Sequence, residues 1–102
     1  MASDDRSNVD LYGFPMVMSL AIHWGDDGLA HLELVLQGEK GRRTIRAAGV
    51  RNVRLPEVVG RLWLPELEIE DWSSRGLEGI RYHLVSRTTG AFQVLCRDLI
   101  VA

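Results

Sequence analysis

The residues with the chemistry for catalysis or metal binding are three histidines, His23, His31 and His83, and a single cysteine, Cys96. Imidazole titrates near neutrality and ligates transition metals, so histidines are the first candidates for either role. Two of them on neighbouring strands supply at most half of a tetrahedral zinc shell, and no cysteine or carboxylate at a motif spacing completes it. The pattern reads instead as solvent-facing strand histidines; a catalytic reading would need a cleft joining at least two of them to a carboxylate. Cys96 shares its parity with Phe92 and Val94, which predicts an apolar setting where the thiol stays neutral and unreactive. There is no G-x-S-x-G pattern, and Gly38-Glu39-Lys40-Gly41 lacks the spacing of a phosphate cradle and reads as a turn. The expectation is a protein that is not an enzyme, with no catalytic residue, no bound metal and no cofactor.

The elements that would position these side chains follow from period-two alternation. Met16, Met18, Leu20, Ile22 and Trp24 are all apolar and predict a half-buried strand. Gly25-Asp26-Asp27-Gly28 supplies turn chemistry, and Ala30, Leu32, Leu34 and Leu36 continue the same parity on a second strand. Keeping even positions inward on both strands demands a loop of three or five residues, and the five-residue register sets His23 opposite His31. After the turn at 38–41, Arg43, Ile45 and Ala47 face in. Ala48-Gly49 reads as a bulge, and Val53 and Leu55 resume a short strand. Val58, Val59, Leu62 and Trp63 suit either one helical turn or an extended edge, and Pro65 requires a bend before Leu67 and Ile69. Ser73-Ser74-Arg75-Gly76 is a loop. Ile80, Tyr82 and Leu84 then point inward, with Arg81, His83 and Val85 outward. A turn at Arg87-Thr88-Thr89-Gly90 leads to Phe92, Val94 and Cys96 inward and Gln93, Leu95 and Arg97 outward, and the apolar Leu99 to Ala102 predicts a C-terminus paired in the sheet. The fold class expected is mainly β: about seven short, mostly antiparallel strands in a curled sheet, sandwich or small barrel, with at most one short helix.

At 102 residues, the chain is of a size for one core. Residues 1–10 are polar and aperiodic and read as a flexible N-terminal tail, with a single β domain over 11–102. Apolar residues make up 46% and charged residues 25%, which excludes disordered and fibrous classes. No apolar run reaches the length of a membrane helix, and the acidic start is unlike a secretory leader, so a cytoplasmic protein is expected. A net charge of −2 gives no general attraction to nucleic acid or to anionic membranes.

The distribution of charge says more than its total. Between Arg42 and Arg61 six arginines stand against Glu57, a balance of +5, and between Glu66 and Glu78 five acids stand against Arg75, a balance of −4. The arginine stretch lacks interleaved aromatics and adjoins acids that would repel phosphate, so nucleic acid is not the expected partner. Outward parity on the strand through Ile69 collects Glu66, Glu68, Glu70 and Trp72, with Trp63 before the bend. Exposed indoles beside a carboxylate ladder compose a binding patch for a cationic protein, because Trp anchors interfaces and rim charges steer the approach. Two other arrangements stay open: the arginine strand could lie beside the glutamate strand and neutralise it, or the tryptophans could cover a second sheet or a homo-oligomer contact. A different class of function is a small ligand held in a concavity lined by Trp24, Tyr82 and Phe92.

Leu67-Glu68-Ile69-Glu70-Asp71, Leu77-Glu78-Gly79-Ile80-Arg81-Tyr82 and Gly90-Ala91-Phe92-Gln93-Val94-Leu95-Cys96, with Ala48-Gly49-Val50-Arg51-Asn52-Val53-Arg54-Leu55 upstream, resemble the small bacterial immunity-protein-like domains of the kind termed immunity protein fifty. Ala48 stands where that group has an aromatic before its glycine-valine pair. The resemblance spans about the last two-thirds of the chain and implies a non-enzymatic cytoplasmic protein that binds and neutralises a cognate toxin. It implies no catalytic residues.

Overall fold

A computed structural model of the chain describes residues 11–56, 62–64, 66–86 and 92–102. The expected tail over 1–10, the alternatives drawn on Val58 and Val59, the placement of Arg61, the bend at Pro65 and the turn at 87–90 lie outside the described residues. Eight strands form: β1 (Met16–Trp24), β2 (Ala30–Gly38), β3 (Gly41–Ala48), β4 (Arg51–Arg54), β5 (Leu67–Asp71), β6 (Tyr82–Ser86), β7 (Gln93–Cys96) and β8 (Asp98–Val101). They make two four-stranded antiparallel sheets, ordered β1-β2-β3-β8 and β4-β7-β6-β5. The sheets do not close into a barrel. One core joins them: Leu32, Leu34, Leu36, Ile45, Ala47 and Leu99 of the first sheet pack with Leu67, Ile69, Leu84, Phe92, Val94 and Cys96 of the second.

The β1–β2 hairpin has the five-residue connection demanded by parity, with His23 opposite His31 and Trp24 opposite Ala30. Gly25 N–H donates to the Leu29 carbonyl and Gly28 N–H to the Gly25 carbonyl, and Gly28 takes the positive φ that the turn needs. Two features of β1 differ from simple alternation. A bulge between Val17 and Ser19 sets Val17 opposite the buried Leu36 and Met16 opposite Gln37, so Met16 and Met18 are not core residues. As the outermost strand of its sheet, β1 also runs past the cover of the facing sheet. Ile22 and Trp24 therefore keep the inward parity yet stay exposed, Trp24 at 78%.

Ala48-Gly49 is not a bulge within a strand. It is where the chain leaves the first sheet for the second, β3 ending at Ala48 and β4 beginning at Arg51. The second crossing, at Arg97 between β7 and β8, produces the eighth strand. Arg97 N–H donates to the Ala48 carbonyl, tying the two crossings together. The paired C-terminus is as expected, with Leu99 opposite Ala47 and Ala102 exchanging two backbone hydrogen bonds with Thr44. Leu62–Leu64 is extended: Trp63 forms a lone bridge to Met16, Val17 N–H donates to the Leu62 carbonyl and Leu64 N–H to the Pro15 carbonyl. Among the described residues the only helical element is the 3-10 turn Ser73–Arg75.

Candidate functional site

Four of the five predicted contact residues, Glu66, Glu68, Glu70 and Trp72, lie on β5 or at its two ends; the fifth, Trp63, lies elsewhere. Because Leu67 and Ile69 are buried in the core, Glu68 and Glu70 point to the opposite face of the second sheet. That face is read across the strands by its pairing: Glu68, Val85 and Gln93 in one row and Glu70, His83 and Leu95 in the next, with Arg51 opposite Leu95 and Arg54 opposite Gln93 on β4. The acids and the arginines thus occupy opposite edges of a four-stranded sheet, separated by β6 and β7. Among the described strands no arginine-bearing strand pairs directly with β5. The other arginine-bearing strand, β3, belongs to the first sheet, where Arg46 pairs with Glu33 at 3.0 Å.

Trp72, just beyond β5, is held from three directions. Its indole Nε1–H donates to Glu70 Oε1 at 3.2 Å, its ring meets His83 with centroids 4.4 Å apart, and the Arg75 guanidinium lies 4.0 Å from its centroid. The 3-10 turn that brings Arg75 back is set by Asp71, whose Oδ1 accepts from the Ser73 hydroxyl at 2.6 Å and from the Ser73 N–H at 2.8 Å. These two hydrogen bonds, hydroxyl first, hold the Asp71 carboxyl below the usual carboxylate range. An indole fixed this way has little rotamer entropy left to lose on contact with a partner.

His83 faces outward as parity has it, but the expected exposure to solvent does not hold. It is only 7% exposed, because Trp72 covers it and Glu70 Oε1 lies 2.7 Å from its Nδ1. A carboxylate only accepts, so Nδ1 carries the proton, and the buried Nε2 has no hydrogen-bond partner. Val85 and Leu95, also assigned outward, are buried in the central strands of the same face, where neighbours on both sides supply cover. The accessible parts of the face are therefore its two margins, β5 and β4, and not its middle.

Glu66 sits in the turn before β5, exposed and at a positive φ of 60°. Trp63 is half exposed at 52% and stands at the edge of the first sheet through its bridge to Met16, away from the face that carries Glu70 and Trp72. It lines a cleft of about 620 Å3 with Tyr12, Phe14, Pro15 and Met16. Tyr12 links the two regions, its hydroxyl donating to Glu68 Oε2. Sequence parity placed the five residues on one surface. The fold brings Glu68, Glu70 and Trp72 together and sets Trp63 around a corner.

The residues tested for catalysis disperse. His23 and His31 stack at 5.5 Å on the first sheet, and His31 Nε2 lies 3.1 Å from both oxygens of Asp27, while His83 is on the second sheet. Among the described residues no three histidine, cysteine or acidic side chains gather as metal ligands. Trp24, Tyr82 and Phe92 do not line one concavity: Trp24 is exposed, whereas Phe92 is fully buried and Tyr82 packs against the core. Cys96 is buried, and desolvation first, with the Asp98 charge second, pushes its thiol up to about 12. A folded pKa above the unfolded value near 9 contributes stability that is complete below about 9 and is lost as pH rises toward about 12. Two outcomes follow. Iodoacetamide should label Cys96 only at the rate of unfolding, and the urea midpoint should fall into the alkaline range more steeply for the wild type than for Cys96→Ala; rapid labelling of the folded protein would contradict the buried setting.

Comparison of the chain with protein-family models, with curated proteins and with solved structures finds no match. By architecture the chain is a mainly antiparallel β protein whose described residues form eight strands in two sheets, and among them no helix is long and apolar enough to cross a membrane.

Proposed function

We propose that this chain is a non-enzymatic protein-binding domain, an inhibitor of the immunity type that captures a cationic surface of a bacterial toxin in the cytoplasm. The observation that carries the reading is the segregation of charge on the second sheet: Glu68 and Glu70 stand at one edge beside a clamped Trp72, and Arg51 and Arg54 stand two strands away at the other edge. Carboxylates gathered on one margin of a sheet steer a basic partner, and an aromatic anchor held in one geometry supplies contact area at low entropic cost. The resemblance in the glycine-valine strand pair and in the β5 to β7 segments supports the immunity assignment. The burial of Cys96 and the scattering of the histidines support a binding role over a catalytic one.

The structure alters how this is tested. Replacing both Glu68 and Glu70 would perturb the fold, because Glu70 serves His83 and Trp72. Glu68→Lys on its own reverses charge at a partly exposed strand position. Titration calorimetry against the product of the adjacent gene should give a complex with the wild type and at least tenfold weaker binding with Glu68→Lys, while both proteins unfold within a few degrees of each other. An equal affinity for the two would remove the acidic margin from the interface.

A further inference from the structure

At the end of the sandwich away from the Tyr12 and Trp63 cleft, the tip of the β1–β2 hairpin and the two sheet crossings enclose a second pocket, of about 320 Å3. Trp24, Leu29 and Val50 are its apolar lining, and Arg51 and Arg97 are its charged side chains. This is the low end of the small-ligand range, with room for a ring and one anionic group rather than for a chain.

Glycine lets the backbone approach both arginines closely. A Cβ at Gly49, where φ is +68°, would lie 2.9 Å from Arg97 Cβ, and a Cβ at Gly79, where φ is +74°, would lie 3.1 Å from Arg51 Nη2. Both guanidiniums also keep donors in reserve. Arg51 Nη1 reaches only the Glu78 carbonyl at 3.4 Å, and Arg97 uses Nε on Asp98 at 3.1 Å, leaving the rest of the five donors on each without a partner among the described residues. Asp98 is shared with Arg81 at 3.8 Å. Asp27 of the hairpin tip is turned to His31 and to the Leu29 N–H. The pocket thus has two guanidiniums in its lining, one of them also paired with Asp98, beside a tryptophan that is 78% exposed, although its parity assigned it to the core.

We infer that this pocket binds a small phosphorylated aromatic or heteroaromatic molecule, its phosphate received by Arg51 and Arg97 and its ring laid on Trp24. Two guanidiniums match a phosphate dianion in charge and in fork geometry, and an open indole face accepts any flat ring. The site is independent of the β5 margin and stands or falls apart from the toxin-binding proposal.

The probes are adenosine monophosphate and phenyl phosphate, titrated into the full chain while the Trp24 indole N–H signal is followed by NMR. Both should give saturable shifts at sub-millimolar concentration, with adenosine and inorganic phosphate at least tenfold weaker. Arg51→Gln and Arg97→Gln should each weaken phenyl phosphate at least tenfold, and Trp24→Ala, at a position 78% exposed where little burial is lost, should do the same by equilibrium dialysis. Arg42→Gln removes an equal charge from the other end of the molecule and should change nothing. If the indole signal does not move with either probe, or inorganic phosphate alone binds as tightly, or the two arginine variants bind like the wild type, the assignment is overturned.

Discussion

Gly38→Ala is expected to cost about 3–6 kcal/mol, enough to leave a large fraction of a domain of ordinary stability unfolded at ambient temperature. A methyl group at Gly38 would be placed 1.7 Å from the Gly13 carbonyl oxygen, 2.8 Å from its carbon and 3.1 Å from Phe14 Cα. All three atoms are backbone, so no rotamer change relieves the clash, and either the β2–β3 turn or the segment from Leu11 to Pro15 must move. The segment is the weaker of the two, because β2 is paired on both sides along its length. Displacing it would pull Leu11 and Phe14 from the core, each worth about 1.5–3 kcal/mol of apolar burial, and would part the Tyr12 hydroxyl from Glu68. Gly13→Ala touches the same contact from the other side, yet its Cβ would meet nothing within 4 Å, so its urea midpoint should stay near that of the wild type. Equal midpoints for the two variants would show that this approach of backbone to backbone is not what holds the N-terminal segment down.

The parts of the fold that were legible in the sequence are those where burial of one face enforces parity. The loop length of the first hairpin, the opposition of His23 and His31 and the outward direction of Glu68 and Glu70 all follow from that single constraint. Three features escaped it for physical reasons. An inserted residue at Met18 leaves the run of apolar residues unbroken, so a bulge that changes which of them reach the core has no signal in hydrophobicity alone. A glycine that carries the chain between sheets, Gly49, looks the same as one that makes a bulge, since both need the same left-handed backbone. Parity also assigns a residue to a face but not the cover of that face, which is why His83 is buried on the outside and Trp24 exposed on the inside. The separation of Trp63 from Trp72 is of this third kind: the stretch before β5 joins the edge of β1, and no period within one strand reports which sheet a neighbour will join.

Glu70→Lys should destabilise the protein by about 2–3 kcal/mol, a fall in Tm of roughly 10–20 °C for a domain of this size, whereas Glu68→Lys, which gives up the exposed bond from Tyr12, should cost less. The two positions share a strand, a face and a charge, but one Glu70 oxygen accepts from both His83 Nδ1 and Trp72 Nε1. Lysine can only donate, so it would set an ammonium against two N–H groups and leave the nearly buried imidazole, whose Nε2 is already without a partner, unsatisfied at both nitrogens. Trp72 would lose its hold at the same moment, so partner binding should fall with stability. Removing both polar groups together distinguishes this account from a general intolerance of the site. In Glu70→Ala with His83→Phe the buried face needs no acceptor and the added ring can still meet Trp72, so the double variant should be more stable than Glu70→Ala alone. A double variant that loses the full sum of the two single effects would mean that the carboxylate and the imidazole do not act as a unit, and that Trp72 is positioned by something other than the pair beneath it.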